Sequence, residues 1–157
     1  MIVLKATQEK VLSALQAVAG IVERRHTLPV LANVLIRKTG SSVQLTTSDL
    51  EIQIRTTAGL DGDSGSFTTT VGARKLIDIL RTMPADQTVT LDAQQSKLIL
   101  KGGKSRFTLQ TLPAEDFPLV QEAPGFGPAF QVPQRTLKSL LDQVAFAMAV
   151  HDIRYYL

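Results

Sequence analysis

The residue types most often used in catalysis and metal binding are scarce in this chain. There is no Cys, and His26 and His151 are the only histidines. Without Cys there is no disulfide or thiol chemistry, and the two histidines lack the HxH or HExxH spacing of a metal site. Ser48 and Asp49 could complete a hydrolytic set with His26, but nothing in the sequence places the three together. We therefore predict no catalytic residue, no metal and no cofactor.

Two short motifs resemble functional loops in their amino-acid sequence but not in their predicted structural context. The stretch "GGKS" (102–105) ends like a phosphate-binding loop, but that pattern requires Gly where Leu98 stands, and a helix after the loop. Here the stretch joins two predicted strands, so we predict a hairpin turn. The stretch "GDSGS" (62–66) resembles a protease nucleophile segment, yet its Gly, Asp and Ser content is that of a turn-rich loop.

Composition describes an ordinary soluble globular protein. The chain has 157 residues, 44% hydrophobic and 20% charged, with a formal net charge of +3. We expect no signal peptide, because the first ten residues contain Lys5 and no sustained apolar run. Nothing approaches the run of about 18 apolar residues that spans a membrane. We expect a cytoplasmic protein with no membrane partner. The small positive charge permits weak, salt-sensitive contact with a polyanion without requiring it.

Internal repetition is the strongest signal in the chain. Residues 1–20, 66–84 and 128–147 share one order: a short β-prone stretch, a polar start and an amphipathic helix. The apolar residues of the three helices follow the spacing of one helical face. They are Val11, Leu12, Ala14, Leu15 and Val18, then Leu76, Ile77, Ile79, Leu80 and Met83, then Leu137, Leu140, Leu141 and Val144.

Alternating stretches follow the first two helices. They lie at 30–38, 43–48, 50–57, 88–93, 97–102 and 106–112. In the third of them we expect Leu50, Ile52 and Ile54 to share one face of a strand. Such alternation is typical of an antiparallel sheet with one buried face. The prediction is an α+β fold, a duplicated β-α-β-β-β unit with two helices on one face of antiparallel sheets.

A Pro- and Gly-rich stretch at 113–128 interrupts the pattern and predicts a linker. We therefore expect residues 1–124 to form one complete domain, 125–128 to be the end of the linker, and 129–157 to begin a second domain. That second part holds one helix and stops, so we expect the chain to be the front part of a longer protein.

Five stretches carry a resemblance to a known family: "RHTLPVLANVLI" (25–36), "TSDLEIQI" (47–54), "ARKLIDILR" (73–81), "SRFTLQTLPAEDFP" (105–118) and "DIRYYL" (152–157). In this order and spacing, the chain resembles the amino-terminal part of the bacterial DNA polymerase III beta subunit, the sliding clamp. The resemblance implies the DNA clamp fold and a homodimeric head-to-tail ring that encircles duplex DNA without reading its sequence. It also implies a role in DNA replication as a processivity factor with no catalytic activity.

The resemblance also implies roles for individual residues. It assigns DNA contacts to Arg25, Tyr155 and Tyr156, with His151 close by at a position where family members carry Gln. Further basic residues on or beside the helices, suited to phosphate contact, are Lys10, Arg24, Arg81 and Lys138. From the residues alone, the favoured interpretation of the basic side chains is a solvated helix face. The alternative for the tyrosines is ordinary packing at a domain seam.

Two further surfaces follow from the same resemblance. The subunit contact would use Arg74, Lys75, Arg106, Phe107 and Leu109. The alternation around Phe107 and Leu109 also permits both side chains to lie in the domain's own core. Leu157 would begin the hydrophobic pocket that receives short peptide motifs of DNA polymerase III and the clamp loader.

Two other functions stay open on the sequence alone. One is a stand-alone α+β interaction module of this natural length. The other is a small hydrolase built on the same fold, which would require turnover that depends on His26.

Overall fold

A computed structural model describes residues 1–22, 28–120, 127–128 and 130–148. The chain divides into two compact units, Met1–Gln121 and Glu122–Leu157. Each unit is described by itself. Within the described residues, none of the helices is long and apolar enough to cross a bilayer.

The first unit consists of two repeats with the same order of elements. The first repeat contains β1 (Ile2–Thr7), α1 (Gln8–Val18), β2 (Asn33–Thr39), β3 (Ser42–Ser48) and β4 (Gln53–Gly59). The second contains β5 (Ser66–Gly72), α2 (Ala73–Arg81), β6 (Thr88–Gln94), β7 (Lys97–Gly102) and β8 (Ser105–Leu112). The predicted α+β fold and its duplicated β-α-β-β-β unit are confirmed.

The eight strands of the described residues form one antiparallel sheet in the order β1-β6-β7-β8-β5-β2-β3-β4. The two repeats exchange their first strands, because β1 pairs with β6 and β5 pairs with β2. A short seam joins β5 to β8 at Thr70–Leu112 and Val71–Thr111. Its counterpart in the other half is a single bridge between Lys5 and Asp61. The topology is therefore symmetric about an approximate twofold axis between the repeats.

Both helices bury their apolar faces in one core together with strand residues of both repeats. The helix residues at the centre of this core are Val11, Leu15 and Val18 of α1 and Leu76, Ile77 and Leu80 of α2. Each fully buried aliphatic side chain contributes about 2 kcal/mol of hydrophobic stabilisation. The Gln8 side chain adds a polar link between the helices, since its Nε2 donates to the Leu80 carbonyl at 2.7 Å.

One lysine lies inside this core. Lys38 on β2 is 0% exposed, and within the described residues its Nζ has no hydrogen-bond partner. The Nζ points at Gly62, where an added Cβ would come within 2.8 Å of it and within 2.9 Å of the Ile2 and Val3 carbonyl oxygens. Gly62 therefore allows the backbone to approach β1 and Lys38 closely.

The prediction of a strand from residue 50 is wrong at its start. Leu50 and Ile52 are 52% and 53% exposed, and β4 begins at Gln53. The Asp49 carboxylate accepts hydrogen bonds from the Glu51 and Ile52 amides at 2.9 and 2.7 Å, which closes a turn. Leu50 has a φ of +83°, in the left-handed region. Side-chain capping of this kind competes with strand pairing and overrides the alternating pattern.

Both loop predictions for the motif-like stretches are confirmed. The "GGKS" stretch forms the hairpin between β7 and β8, with Gly102 paired to Ser105 and Gly103 at a φ of +56°. Residues 62–65 lie in the connection between β4 and β5, where Gly65 also has a positive φ.

In the second unit, the predicted helix is present as α3 (Gln134–Val144), which begins directly after Pro133. The β-prone stretch expected before it is not a strand at Phe130–Pro133. A strand needs a neighbour for its backbone hydrogen bonds, and the described residues of this unit contain no other strand.

Candidate functional site

The outer edge of β8 is the first candidate surface. On one side β8 pairs with β7 from Ser105 to Gln110, and on the other it pairs with β5 only at Thr111 and Leu112. Within the described residues, the stretch 105–110 therefore leaves its outward backbone donors and acceptors without a strand partner. An edge of this kind is a template for pairing with a strand of another chain.

A groove of about 650 Å³ runs between this edge and α2. It is lined by Arg74, Lys75, Asp78, Ile79, Thr82, Phe107, Thr108 and Leu109. Four of the five predicted interface residues thus lie in one groove, and the fifth, Arg106, is exposed on the same stretch of β8.

The two apolar residues of the groove differ in burial. Leu109 is 4% exposed and belongs to the domain's own core, so it forms the floor of the groove. Phe107 is half-buried and packs against the edge of the core while lining the groove. The core alternative left open by the sequence therefore describes Leu109, whereas Phe107 keeps surface for a partner.

Arg74 is held in place by the segment that follows α1. Its Nε and Nη2 donate to the Val22 carbonyl at 3.1 and 2.5 Å. A planar guanidinium that makes two bonds to one acceptor has little rotational freedom. Arg74 therefore ties the first turn of α2 to Val22, the residue directly before the segment that contains Arg24 and Arg25.

The β8 side of the unit is rich in positive charge. Four basic residues are exposed there: Arg74, Lys75, Lys104 and Arg106. Asp78 lies in the same groove, and its Oδ1 is 3.8 Å from Nη1 of Arg81. Both of these side chains are exposed, so their attraction is weak and neutralises little of the surface.

The predicted DNA contacts are only partly within the described residues. Lys10 is exposed on α1 and Arg81 on the last turn of α2. Lys138 on α3 is also exposed, with its Nζ 2.5 Å from Asp142 Oδ2. A cleft of about 600 Å³ between the end of α1 and α2 brings Arg81 near Arg74. The predictions for Arg24, Arg25, His151, Tyr155, Tyr156 and Leu157 fall outside the described residues.

Ser48 and Asp49, the two described members of the imagined hydrolytic set, both serve the turn before β4. Ser48 is buried, and its Oγ accepts a hydrogen bond from the Leu50 amide at 3.2 Å. The Asp49 carboxylate accepts backbone amides, as described above. The third member, His26, lies outside the described residues.

Sequence reasoning missed a second groove that is equivalent to the first. It runs between α1 and β4, measures about 490 Å³, and is lined by Glu9, Lys10, Ser13, Ala14, Ala17, Thr56, Ala58, Gly59 and Leu60. Under the exchange of repeats, Glu9, Lys10, Ser13, Ala14 and Ala17 occupy the positions of Arg74, Lys75, Asp78, Ile79 and Thr82. Thr56 and Ala58 occupy those of Phe107 and Leu109. The helix repeat relates the α1 residues to those of α2, but only the strand topology places Thr56 and Ala58 beside them.

Comparison with known proteins places these features in a family. Residues 2–121 match the family model described as DNA polymerase III beta subunit, N-terminal domain. The beta sliding clamp of Pseudomonas aeruginosa is 47% identical over 150 residues, which is 96% of this chain and 41% of that protein. The beta sliding clamp of Escherichia coli is 37% identical with the same coverage.

Solved structures of DNA polymerase III beta subunits have the same fold as this chain. A crystal structure of the DNA polymerase III subunit beta from Pseudomonas aeruginosa superposes with a TM-score of 0.92 at 45% identity, covering 99% of this chain and 42% of that one. Caulobacter crescentus pol III beta superposes with a TM-score of 0.90 at 33% identity, covering 100% of this chain and 42% of that one. The chain spans about two fifths of the length of these relatives. Its repeated clamp fold and its match over residues 2–121 show that the chain belongs to the DNA polymerase III beta subunit family.

Proposed function

We propose that this chain supplies the first domain, residues 1–124, of a sliding clamp subunit. Residues 125–128 are the end of the linker, and 129–157 begin the second domain. In the complete protein, two subunits meet head to tail and close around duplex DNA. The ring tethers DNA polymerase III to its template during replication, in the cytoplasm, and carries out no catalysis itself.

The observation that carries this proposal is the free β8 edge beside the Phe107 groove. Pairing of 105–110 with a partner strand adds backbone hydrogen bonds to the free edge of an antiparallel sheet. Phe107 supplies a half-buried aromatic anchor, the residue type that dominates interface energies. The exposed basic residues around it favour a partner edge with acidic residues.

The charge of the helices fits a protein that holds DNA by enclosure. A closed ring needs no tight grip, and sliding requires contacts to phosphates in preference to base edges. Exposed Lys10, Arg81 and Lys138, together with Arg24, supply such contacts in this proposal. Arg25, His151, Tyr155 and Tyr156 would contact the duplex where it tilts against the ring, with the tyrosines stacking on sugar or unpaired bases.

Client binding is a further part of the proposal. Leu157 contributes to a hydrophobic pocket that short peptide motifs of DNA polymerase III and the clamp loader enter as extended anchors. The remaining walls of that pocket belong to domains beyond this chain, so the chain alone binds such peptides weakly.

The test is a chimera in which this chain replaces the matching 150-residue part of the Pseudomonas aeruginosa beta sliding clamp. The chimera is loaded with that organism's clamp loader onto nicked circular DNA, and retention is followed by gel filtration. We expect retention on circles and release after the DNA is linearised, since a ring slides off a free end. Equal retention on both forms, or none on circles, contradicts the proposal.

The subunit contact has its own matched pair of variants in the chimera. Phe107→Ala removes the anchor, and we expect the dimer dissociation constant to rise at least tenfold in sedimentation velocity. Thr56→Ala alters the equivalent position of β4 and should leave the dimer unchanged. Equal dissociation constants for both variants would remove the β8 groove from the subunit contact.

A further inference from the structure

The guanidinium of Arg74 holds the backbone at the point where the chain leaves the core after α1. Its Nε and Nη2 both donate to the Val22 carbonyl, at 3.1 and 2.5 Å. We propose that Arg74 is a positioning residue for DNA binding, because fixing this carbonyl sets the direction in which the chain continues towards Arg24 and Arg25. This inference rests on the proposed function, which assigns DNA contacts to those two arginines.

Val22 has two other anchors in the described part of the chain, and they act on its side chain and its amide. The side chain is 0% exposed in the core, and the amide donates to the Ala19 carbonyl at 3.1 Å. Neither contact restrains the torsion ψ, which is 106° here. Since a peptide bond is planar, the direction of the Val22 carbonyl fixes the plane of the peptide that leads to residue 23. Two donors on one rigid guanidinium therefore restrain the rotation that the other anchors leave open.

The far side of this segment is anchored without Arg74. The described chain resumes at Leu28, whose carbonyl accepts a hydrogen bond from the Leu31 amide at 3.1 Å. Leu31 is buried, and Val30 packs in a small core cluster. Residues 23–27 are therefore bounded by two anchored positions, and Arg74 controls the direction of the chain at the first of them.

The second repeat shows what this link replaces. Under the exchange of repeats, Val22 corresponds to Gln87, which follows α2. The Gln87 carbonyl accepts a hydrogen bond from the backbone amide of Gln8, in the first turn of α1, at 2.8 Å. In the first repeat the equivalent carbonyl is held by a side chain from the first turn of α2. Arg74 occupies the place of Glu9, whose carboxylate cannot donate to a carbonyl.

The connection after the helix is also longer in the first repeat. It spans residues 19–32 and contains Arg24 and Arg25, whereas the connection of the second repeat spans 82–87 and leads directly into β6. A longer connection has more conformations available to it. Fixing the point where it leaves the core lowers the entropy lost when its arginines bind phosphate, and so strengthens binding.

The first experiment measures the link in the isolated chain. The chain contains no Trp, so His26→Trp places a single indole between Val22 and Leu28. Time-resolved fluorescence anisotropy of the full 157-residue chain then reports the amplitude of local motion of that indole. We expect Arg74→Gln to lower the residual anisotropy. Lys97→Gln removes the same charge from an exposed position of β7 and should keep the parent value. Equal residual anisotropy in the two variants overturns the inference.

The second experiment measures DNA affinity in the chimera. A fluorescently labelled linear duplex is titrated at low salt, above the dimer dissociation constant that sedimentation velocity gives for each variant. We expect Arg74→Gln to weaken binding about fivefold, which corresponds to about 1 kcal/mol. Lys97→Gln should change it less than about twofold, since a distant exposed charge contributes only through the general field. Equal affinities for the two variants overturn the inference.

A double-mutant comparison separates positioning from direct contact. If Arg74 acts through Arg24 and Arg25, its effect must vanish once both are removed. We therefore expect Arg74→Gln to weaken binding no further in a chimera that already carries Arg24→Gln and Arg25→Gln. A loss of about the same size in that background would mean that Arg74 touches DNA itself, and overturns the positioning role. Circular dichroism checks that each variant is folded.

The outcomes also distinguish this inference from the proposed function. A chimera that is retained on circular DNA, and whose Arg74→Gln and Lys97→Gln variants bind the duplex equally, overturns the inference and leaves the clamp proposal standing. A chimera that is not retained on circles overturns the clamp proposal. In that case a lower residual anisotropy of the Arg74→Gln chain still establishes the link at Val22.

Discussion

The two repeats of the first unit have the same order of elements and different side chains at their free edges. The second repeat presents Phe107 and Ile79 with Arg74 and Lys75 beside β8, whereas the first presents alanines with Glu9 and Lys10 beside β4. Inside the core the repeats are alike, with Leu15 and Leu80 at equivalent buried positions. The fold therefore fixes where an edge lies, while the edge residues that the core does not require decide what it binds.

The largest expected effect tests whether the two repeats contribute equally to the stability of their common core. Leu15→Ala and Leu80→Ala each remove a side chain that is almost fully buried. We expect each to lower the free energy of unfolding by about 2–5 kcal/mol, because a cavity is left behind. Urea denaturation measures the difference. Exposed Leu119→Ala is the control, with a cost below about 0.5 kcal/mol. A large inequality between the two core variants would show that one repeat dominates stability.

The next largest effect is a gain in stability, at a position where the buried residues of the two repeats differ. Lys38 is buried without a partner, and its equivalent on β6 is the half-buried Ala93. Leaving a buried polar group without a hydrogen-bond partner costs about 1–3 kcal/mol, and an apolar side chain of similar size avoids that cost. We expect Lys38→Met to raise the free energy of unfolding by such an amount in urea denaturation. A loss of stability would mean that Lys38 makes a favourable interaction in the fold.

A substitution at Gly62 tests the close packing around Lys38. Gly62→Ala should destabilise even in the Lys38→Met background, because the Ile2 and Val3 carbonyl oxygens would still lie 2.9 Å from the new Cβ. Full rescue by Lys38→Met would show that the lysine alone limits the space at Gly62.

A smaller effect tests the link between the helices. Gln8 Nε2 donates to the Leu80 carbonyl, and the equivalent of Gln8 on α2 is Ala73, which has no such group. The Leu80 carbonyl keeps its bond from the Met83 amide. We therefore expect Gln8→Ala to cost only about 1 kcal/mol by thermal denaturation. Exposed Gln16→Ala is the matched control, expected to be neutral.

The smallest effect depends on pH. A hydrogen bond from the Met1 amino group, 3.1 Å away, lowers the pKa of Asp92, and Lys101 adds to this. Because the folded-state pKa lies below the unfolded value, the contribution is present above the unfolded pKa and lost as pH falls through the folded value.

Asp92→Asn should therefore reduce the acid dependence of stability below about pH 4 and cost less than about 1 kcal/mol at neutral pH. Stability measured by urea denaturation from pH 2 to 7 checks this. The equivalent residue of the first repeat is Arg37, so Arg37→Gln serves as a control with no acid effect. An unchanged acid slope in Asp92→Asn contradicts the assignment.

Local patterns were sufficient to predict the helices and most strands. Apolar spacing located α1, α2 and α3, and turn residues located the hairpin at Gly103. The same rules failed at Leu50, because the Asp49 carboxylate captures backbone amides and alternation carries no information about side-chain capping. Nor does any local pattern indicate a buried lysine, since Lys38 looks like the outward end of a strand.

The sequence alone did not predict which strands far apart in the chain pair with each other. The exchange of β1 and β5 between repeats depends on contacts far apart in the chain, so the second groove at Ala17 and Ala58 became visible only with the topology. For the candidate site, the resemblance located Phe107 and Leu109, and only the structure distinguished the core residue from the groove residue.

The strand exchange has a consequence for biosynthesis. β1 is made first, yet its partner β6 ends at Gln94. At a translation rate of about 5–20 residues per second, the first strand waits roughly ten seconds for its neighbour. Throughout that interval the nascent chain exposes Val3 and Leu4, which are buried in the finished fold. We therefore expect the ribosome-bound chain to remain protease-sensitive until the second repeat has emerged from the exit tunnel.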